Sequence, residues 1–502
     1  MDPQASHNRV PITISVMLAS VLQALDTTIA NVALPHIGGS LSATIEEMAW
    51  VLTSYIVASA IMTPLSGWLA GRYGRKRVLA LSAAGFTIAS AMCGMAHSLQ
   101  EIVLFRALQG IGGAALVPLS QAVLLDINPV ERHGRAMAVW GMGVLIGPII
   151  GPTLGGWLTD NYSWRWVFYI NIPFGILSVL GILTYMRESP RSVKPFDFFG
   201  FAMLSLAIGA LQILLDRGQL QDWFSSSEIW IEAAVCGLAF YLFLVHSFTA
   251  RHPFVSPALF KDRNFAVGSI FIFIIGVVLF ATLALLPPLL EELLHYPVTT
   301  TGLVTSPRGI GAFITMAIVG RLVGKLDARL IIAVGLLVTA ASEWMMCGFS
   351  LQMDTHLVLW SGFLQGVGTG FAYVPLAAVS FATLDRSFRD EGTSIFNLLR
   401  NVGSSIGISI TQALLVRNTQ ISHANLAEHI APYRSLLHAL PQSDLSTAHG
   451  LAALNALVTR QASMVAYLDD FEFLFVLTLV MIPLIVILQS GRSGAGAPAV
   501  AE

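Results

Sequence analysis

Apolar residues in this chain come in long unbroken runs, without the two-residue alternation of an amphipathic strand or the one-sided stripe of a water-facing helix. A bilayer-spanning helix needs about 20 consecutive, mostly apolar residues. Fourteen stretches meet that length: 12–34, 49–69, 78–96, 102–124, 136–157, 166–186, 198–215, 229–248, 265–288, 299–320, 330–350, 357–383, 392–416 and 467–488. The pattern predicts an all-α integral membrane protein with 14 transmembrane helices and little chain left for a soluble domain. The first stretch lacks the short apolar core and small-residue cleavage site of a signal peptide, so it reads as a retained helix.

Numbering the connections alternately, with the N-terminus inside, separates the charges. Nineteen of the 27 Lys and Arg fall in segments assigned to the inside, five outside and three within spans. Positive charge is retained on the cytoplasmic side of membrane proteins. Both termini are therefore expected in the cytoplasm.

Composition agrees. Hydrophobic residues make up 55% of the chain and charged residues 11%, with a mean hydropathy of +0.72. A soluble domain carries about 25% charge. The balance of 27 basic and 29 acidic residues gives no basic surface for nucleic acid. Cys93, Cys236 and Cys347 all lie in apolar runs and suggest neither disulfides nor a zinc site. No Gly-x-x-x-x-Gly-Lys-Ser/Thr loop occurs, which disfavours direct use of ATP. An ion gradient is then the expected energy source.

An internal repeat sets the organisation. Gly67-Trp-Leu-Ala-Gly71-Arg72 matches Gly320-Arg-Leu-Val-Gly324-Lys325 at an offset of 253. Leu108-Gln109-Gly110 matches Leu364-Gln365-Gly366 at 256, and Gly143 with Gly147 matches Gly403 with Gly407 at 260. Two six-helix halves in the same orientation follow, 1–190 and 263–490, with two extra helices between them in 191–262. An external loop is expected at 417–466 and a flexible cytoplasmic tail at 491–502. Parallel repeats of this kind build secondary transporters, with the substrate site between the halves.

These residues resemble the major facilitator superfamily, specifically its 14-helix drug:proton antiporters of the EmrB/QacA type. Leu25-Asp26-Thr-Thr-Ile-Ala-Asn31-Val-Ala-Leu-Pro35 is similar to that branch's first-helix signature. Gly67 to Lys76 matches the superfamily loop motif Gly-x-Leu-Ala-Asp-x-x-Gly-Arg-Lys, through Gly67, Gly74, Arg75 and Lys76. Arg106-Ala-Leu-Gln109-Gly110 resembles the antiporter motif. Gly147-Pro148-Ile-Ile-Gly151-Pro152-Thr-Leu-Gly155-Gly156 resembles the exporter motif. Trp164 to Pro173 and Phe396 to Asn401 also look characteristic. One position departs: the family usually has Asp where this chain has Gly71, and that carboxylate helps latch the loop to neighbouring helices. The resemblance implies proton-coupled export of hydrophobic or amphipathic compounds from a bacterial inner membrane. It also implies a periplasmic adaptor protein and an outer-membrane channel as partners.

Asp26 stands mid-span, where a carboxylate must be protonated, paired or in contact with a wet cavity. It is the first proton-coupling candidate; a locally bonded structural acid is the alternative. Arg106 stays charged and needs an acceptor, which Gln109, one turn on, offers. A purely structural tie between helices is equally open. Asn397, Asn401, Ser405 and Gln412, with Arg400 beside them, form a polar stripe for either cavity lining or interhelical hydrogen bonding. Glu343 is an acid in span 11 and a proton-site candidate, against a snorkelling or locally bonded glutamate. Arg308, between Pro307 and Gly309, either lines the outward pathway or caps a broken helix. The glycines of span 5, with Pro148 and Pro152, suggest a hinge or packing face between the halves. Gating would involve Gly67, Gly71, Arg72, Gly74, Arg75 and Lys76. His423, His429, His438 and His449 share no ligand spacing, so neither metal nor cofactor is expected. The alternatives are uptake or export of a specific metabolite by the same fold and, more remotely, a membrane-embedded enzyme, for which the 12 histidines show no catalytic clustering.

Overall fold

A computed structural model describes residues 9–41, 43–189, 191, 195–429 and 447–489; side chains at 45, 46, 146, 148, 152, 298 and 299 are left aside. The helices, in chain order, are α1 Arg9–Leu41, α2 Ile45–Tyr73, α3 Arg75–Met95, α4 Leu99–Gly113, α5 Leu116–Ile127, α6 His133–Asn161, α7 Trp166–Tyr169, α8 Asn171–Tyr185, α9 Phe198–Arg217, α10 Ser227–Thr249, α11 Arg263–Pro288, α12 Val298–Thr305, α13 Pro307–Leu322, α14 Ala328–Met346, α15 Thr355–Ser380, α16 Arg389–Glu428 and α17 Ala448–Leu484. Three expected spans are assembled from two pieces each, α4–α5, α7–α8 and α12–α13. The last break falls at Pro307, which has no N–H to continue a helix and suits a first position.

Polar residues at the ends of the runs close the helices. Thr44 and Glu47 form a reciprocal capping box at the start of α2. Ser98, Asp197 and Asp262 cap α4, α9 and α11 with side-chain oxygens. The two matched loops both turn on a glycine at positive φ, Gly74 at 93° and Gly324 at 94°. The sequence repeat pairs Gly324 with Gly71 instead, so the turn sits three residues later in the first half.

Thirteen described helical stretches are long and apolar enough to cross a membrane. The fourteenth, α16, has the length but carries Asn397, Arg400, Asn401, Ser404 and Ser405 in the segment that packs against the rest. Helices α1–α8 pack among themselves, as do α11–α17. Between these halves α6 lies along α13, and α16 along α2 and α5. The extra pair packs on itself, and α9 leans on both halves: Thr53 donates to Asp216 at its end, while Ser409 donates to the Leu215 carbonyl at 3.0 Å.

Two expectations change here. The segment 417–466 is not simply a loop: its described residues 417–428 continue α16, and 448–466 belong to α17. At 1.5 Å per residue, the 40 residues of α16 run about 60 Å, roughly twice the hydrocarbon thickness. The two extensions pair through His423–Asn455 at 3.0 Å, and Asn418 reaches Asp469 just beyond them at 3.2 Å. His438, like the tail 491–502, lies outside the described residues. Second, the glycine row of α6 packs inside its own half. A side chain at Gly147 would meet the backbone of Ala24 and Leu25, and those at Gly151 and Gly155 would meet Thr28 and Ile29. The small residues let α1 approach closely, and Thr28 donates to the Gly147 carbonyl at 3.0 Å. At Gly156 an added methyl group would find only Val32, at 3.9 Å, so this is the loosest of the four. The α6 glycines that face the other half are Gly134 and Gly141, against Val323 and Met316. Pro148 and Pro152 fall within the helix, but their side chains lie outside the described residues.

Candidate functional site

Asp26 lies at the centre of a closed polar cluster in the first half. Its exposure is 0%, and that of Arg106 is 1%. Arg106 Nη1 donates to Asp26 Oδ2 at 2.6 Å. Gln109 Nε2 and Asn171 Nδ2 donate to Oδ1 at 2.8 and 3.0 Å. The carboxylate thus faces three donors, a charge-assisted set of the kind that makes a buried ion tolerable. Arg106 is held in turn: Nη1 also donates to Gln109 Oε1 at 2.8 Å, Nε to the Val51 carbonyl at 3.2 Å, and the guanidinium lies 4.2 Å from the centre of the Tyr55 ring. Asn171 bonds Ser90 Oγ at 3.0 Å, and that hydroxyl donates to the Phe168 carbonyl at 2.9 Å. Helices α1, α2, α3, α4 and α8 all contribute. The Arg106–Gln109 contact is the one expected from their spacing. Asn171 is the addition; its only mark in the sequence is its place in the Trp164–Pro173 motif.

A second constellation lies between the halves. Asn397 Nδ2 of α16 donates to Gln121 Oε1 of α5 at 2.7 Å, directly bridging them. One turn on, Arg400 is half-buried. Its contacts are weak and neutral, Tyr373 Oη at 3.5 Å and Asn401 Oδ1 at 3.3 Å, and its Nε has no partner among the described residues. The Tyr373 ring stacks on Trp140 of α6, with centroids 6.1 Å apart and planes 12° off parallel. An incompletely satisfied cation beside stacked aromatics suits an amphipathic molecule with an acidic head. Gln412 is exposed on the same helix and does not join this group.

The loop after α2 forms a third group, at one end of the interface. Arg75 Nε donates to Asp390 Oδ1 of α16 at 2.5 Å, and its Nη1 pairs with Asp126 at the end of α5. Arg389 Nη1 joins Asp126 Oδ1 at 2.5 Å. Two cations and two anions therefore cross the halves. Nearby, Ser66 and Ser394 are hydrogen-bonded at 2.9 Å, and Gly67 packs on the backbone of Asp390 and Glu391. Gly71 has no atom within 4 Å of where a side chain would begin, so the latch is made here without a carboxylate at that position. Lys76 contributes its backbone N–H, 3.1 Å from Glu188 Oε1, and Arg72 stacks on Trp68 at 5.4 Å. At the positive-φ turn, Gly74 leaves room for that same Glu188 side chain.

In the second half, Arg308 neither caps its broken helix nor finds a carboxylate partner. It is buried, and Nη2 donates to the Leu279 carbonyl of α11 at 2.8 Å. Glu343 on α14 has 0% exposure, with Thr478 of α17 the hydroxyl beside its carboxyl. Snorkelling does not describe it.

The Major Facilitator Superfamily model matches residues 16–408. The fatty acid resistance protein FarB of Neisseria gonorrhoeae is 38% identical over 483 residues, covering 94% of this chain and 95% of that protein. The multidrug export protein EmrB of Escherichia coli is 38% identical over 434 residues, covering 86% of this chain and 85% of its own. Among solved structures, the proton:xylose symporter XylE superposes with a TM-score of 0.62 at 14% identity, covering 95% of this chain and 96% of its own; it shares the fold.

Proposed function

Because the chain belongs to the major facilitator superfamily, in its EmrB-type branch, we propose that it exports hydrophobic or amphipathic compounds in exchange for protons, by alternating access. The observation that carries this reading is the Asp26 cluster. An ionisable group at 0% exposure, bonded to two other helices and through Arg106 and Asn171 to two more, is a place where one proton changes the packing of a whole half. A proton on Asp26 neutralises one side of the Asp26–Arg106 pair and leaves the Arg106 charge unbalanced in a buried site. The half must then rearrange to solvate it. Fresh ionisation restores the packed arrangement described above.

Cargo would sit between the halves, against Arg400, Asn401, Tyr373 and Trp140. The Arg75–Asp126–Asp390–Arg389 group would hold one end shut while the other is open. Names of relatives point the same way: one confers fatty acid resistance and another is a multidrug exporter. The distribution of basic residues supports both termini in the cytoplasm, which puts the Arg75 end inside, and the resemblance to EmrB-type proteins supports a bacterial inner membrane. The paired extensions of α16 and α17 would then project outward, available to a periplasmic adaptor that leads to an outer-membrane channel.

The test uses inverted membrane vesicles. Asp26→Asn keeps the shape of the side chain and removes its titration. Folded protein is expected, judged by unchanged gel-filtration behaviour, with proton-coupled substrate uptake lost. Uptake that still collapses on adding a protonophore, at wild-type rate, would remove Asp26 from the mechanism.

A further inference from the structure

Beside Glu343 the second half contains a small cavity of about 20 Å³, lined in part by Leu279, Thr339, Gln365, Thr369 and Thr478. A single water needs about 10–15 Å³ measured this way, and two or more polar partners. Both conditions are met. Gln365 and Thr478 line the cavity and are 0% and 1% exposed, and Gln365 Oε1 has no hydrogen-bond partner among the described residues. Thr339 lies one turn before Glu343 on the same face of α14. Arg308, whose charge acts on Glu343, keeps Nη1 unpartnered, and its Nη2 bonds the carbonyl of Leu279, itself a cavity residue. Glu343 is therefore a buried acid whose neighbouring hydroxyl, Thr478, lines the space for water, within the field of one cation.

We propose that Glu343 is a second proton-binding site, loaded and emptied through this hydrated cavity, independent of the Asp26 cluster in the other half. A hydrated proton entering the cavity transfers to a Glu343 oxygen and leaves water behind; release returns the proton to that water. Arg308 offsets the charge left when the proton departs. The other titratable groups nearby do not take this role. Asp470 and Glu472 lie earlier on α17 than Thr478 and outside the cavity lining, Cys347 follows Glu343 one turn on, and on α15 Tyr373 is engaged by Arg400 while His356 pairs with Asp354. The role in transport rests on the proposed exchange for protons, but occupancy of the site does not, and the experiment reads occupancy directly.

Infrared difference spectra of the full-length protein in lipid nanodiscs, across a pH step, report the carbonyl stretch of protonated carboxyls. One such component is expected in the wild type and in Asp26→Asn. It should vanish in Glu343→Gln, survive in Asp470→Asn, and shift promptly in heavy water, as loading through the cavity requires. Persistence of every component in Glu343→Gln would overturn the proposal, as would a Glu343 component that never exchanges. In vesicles, Glu343→Gln should retain substrate exchange and lose uphill accumulation. Wild-type accumulation in that variant, with the infrared component gone, would overturn the coupling role. Absence of transport in the wild type would instead bear on the proposed function.

Discussion

Arg75 of the first half and Asp390 of the second lie 2.5 Å apart, and the same guanidinium reaches Asp126 with its other arm. Asp390 stands at the start of α16, where the helix dipole also favours a negative side chain. This chain has Gly71 where its family usually has the latching carboxylate, and the acid that meets Arg75 across the interface comes from the opposite half.

Asp390→Asn should therefore loosen one end of the interface. In a background lacking Cys93, Cys236 and Cys347, a cysteine at Ser66, now buried against Ser394, should react several-fold faster with a thiol reagent in the Asp390→Asn protein. An unchanged rate would mean that the serines and Gly67 packing hold that end without the charges. Gly71→Asp, which enters open space, should leave thermal stability within about 0.5 kcal/mol.

Removing Arg106 should be more damaging than removing the charge of Asp26, because an unbalanced Arg106 still bonds Gln109 Oε1 and the Val51 carbonyl. Arg106→Ala strands a carboxylate at 0% exposure, a change that costs roughly 3–5 kcal/mol in buried pairs. Asp26→Asn keeps a side-chain oxygen for Gln109 and Asn171 and should cost less. The double variant should recover part of the loss, measured by thermal unfolding in detergent. Strict additivity would show that the two residues do not act as a pair.

Arg400 should decide which cargo is accepted. Arg400→Ala is expected to cut export of anionic amphiphiles at least ten-fold, a loss of about 1.4 kcal/mol, while cationic dyes are exported as well or better. Equal losses for both classes, compared in cells expressing each variant at the same level, would assign Arg400 to packing.

The glycines of α6 should differ sharply in tolerance. Gly147→Ala drives a methyl group into the Ala24 and Leu25 backbone, directly before Asp26, and should destabilise the protein and weaken export. Gly156→Ala, with Val32 at 3.9 Å, should be nearly silent. Similar melting temperatures for the two would contradict the packing described here.

Most of the fold was readable because the bilayer imposes one simple demand, long apolar runs, and the chain meets it almost everywhere. It was least readable in α16, whose polar residues serve the interface and hide the helix beyond residue 416 from a reading by hydropathy. Arg106 and Gln109 could be paired by local spacing, and Asp26 singled out by the expense of buried charge, but not the contacts of Asp26 with them, which span 80 and 83 residues of sequence. Asn171 could not, since its contact with Asp26 spans 145 residues of sequence. The partner of the α6 glycines was misjudged for the same reason: a small-residue face announces close packing but not against what. Gln412 followed the helical spacing of the polar stripe, yet it lies where α16 is exposed.

Helix α9 grips both halves near the same end, through Asp216 to Thr53 and through Leu215 to Ser409. Whatever swings the halves apart there must first tear one of these attachments or drag α9 along as ballast. Through α9 the added pair is thus yoked to both halves at that end.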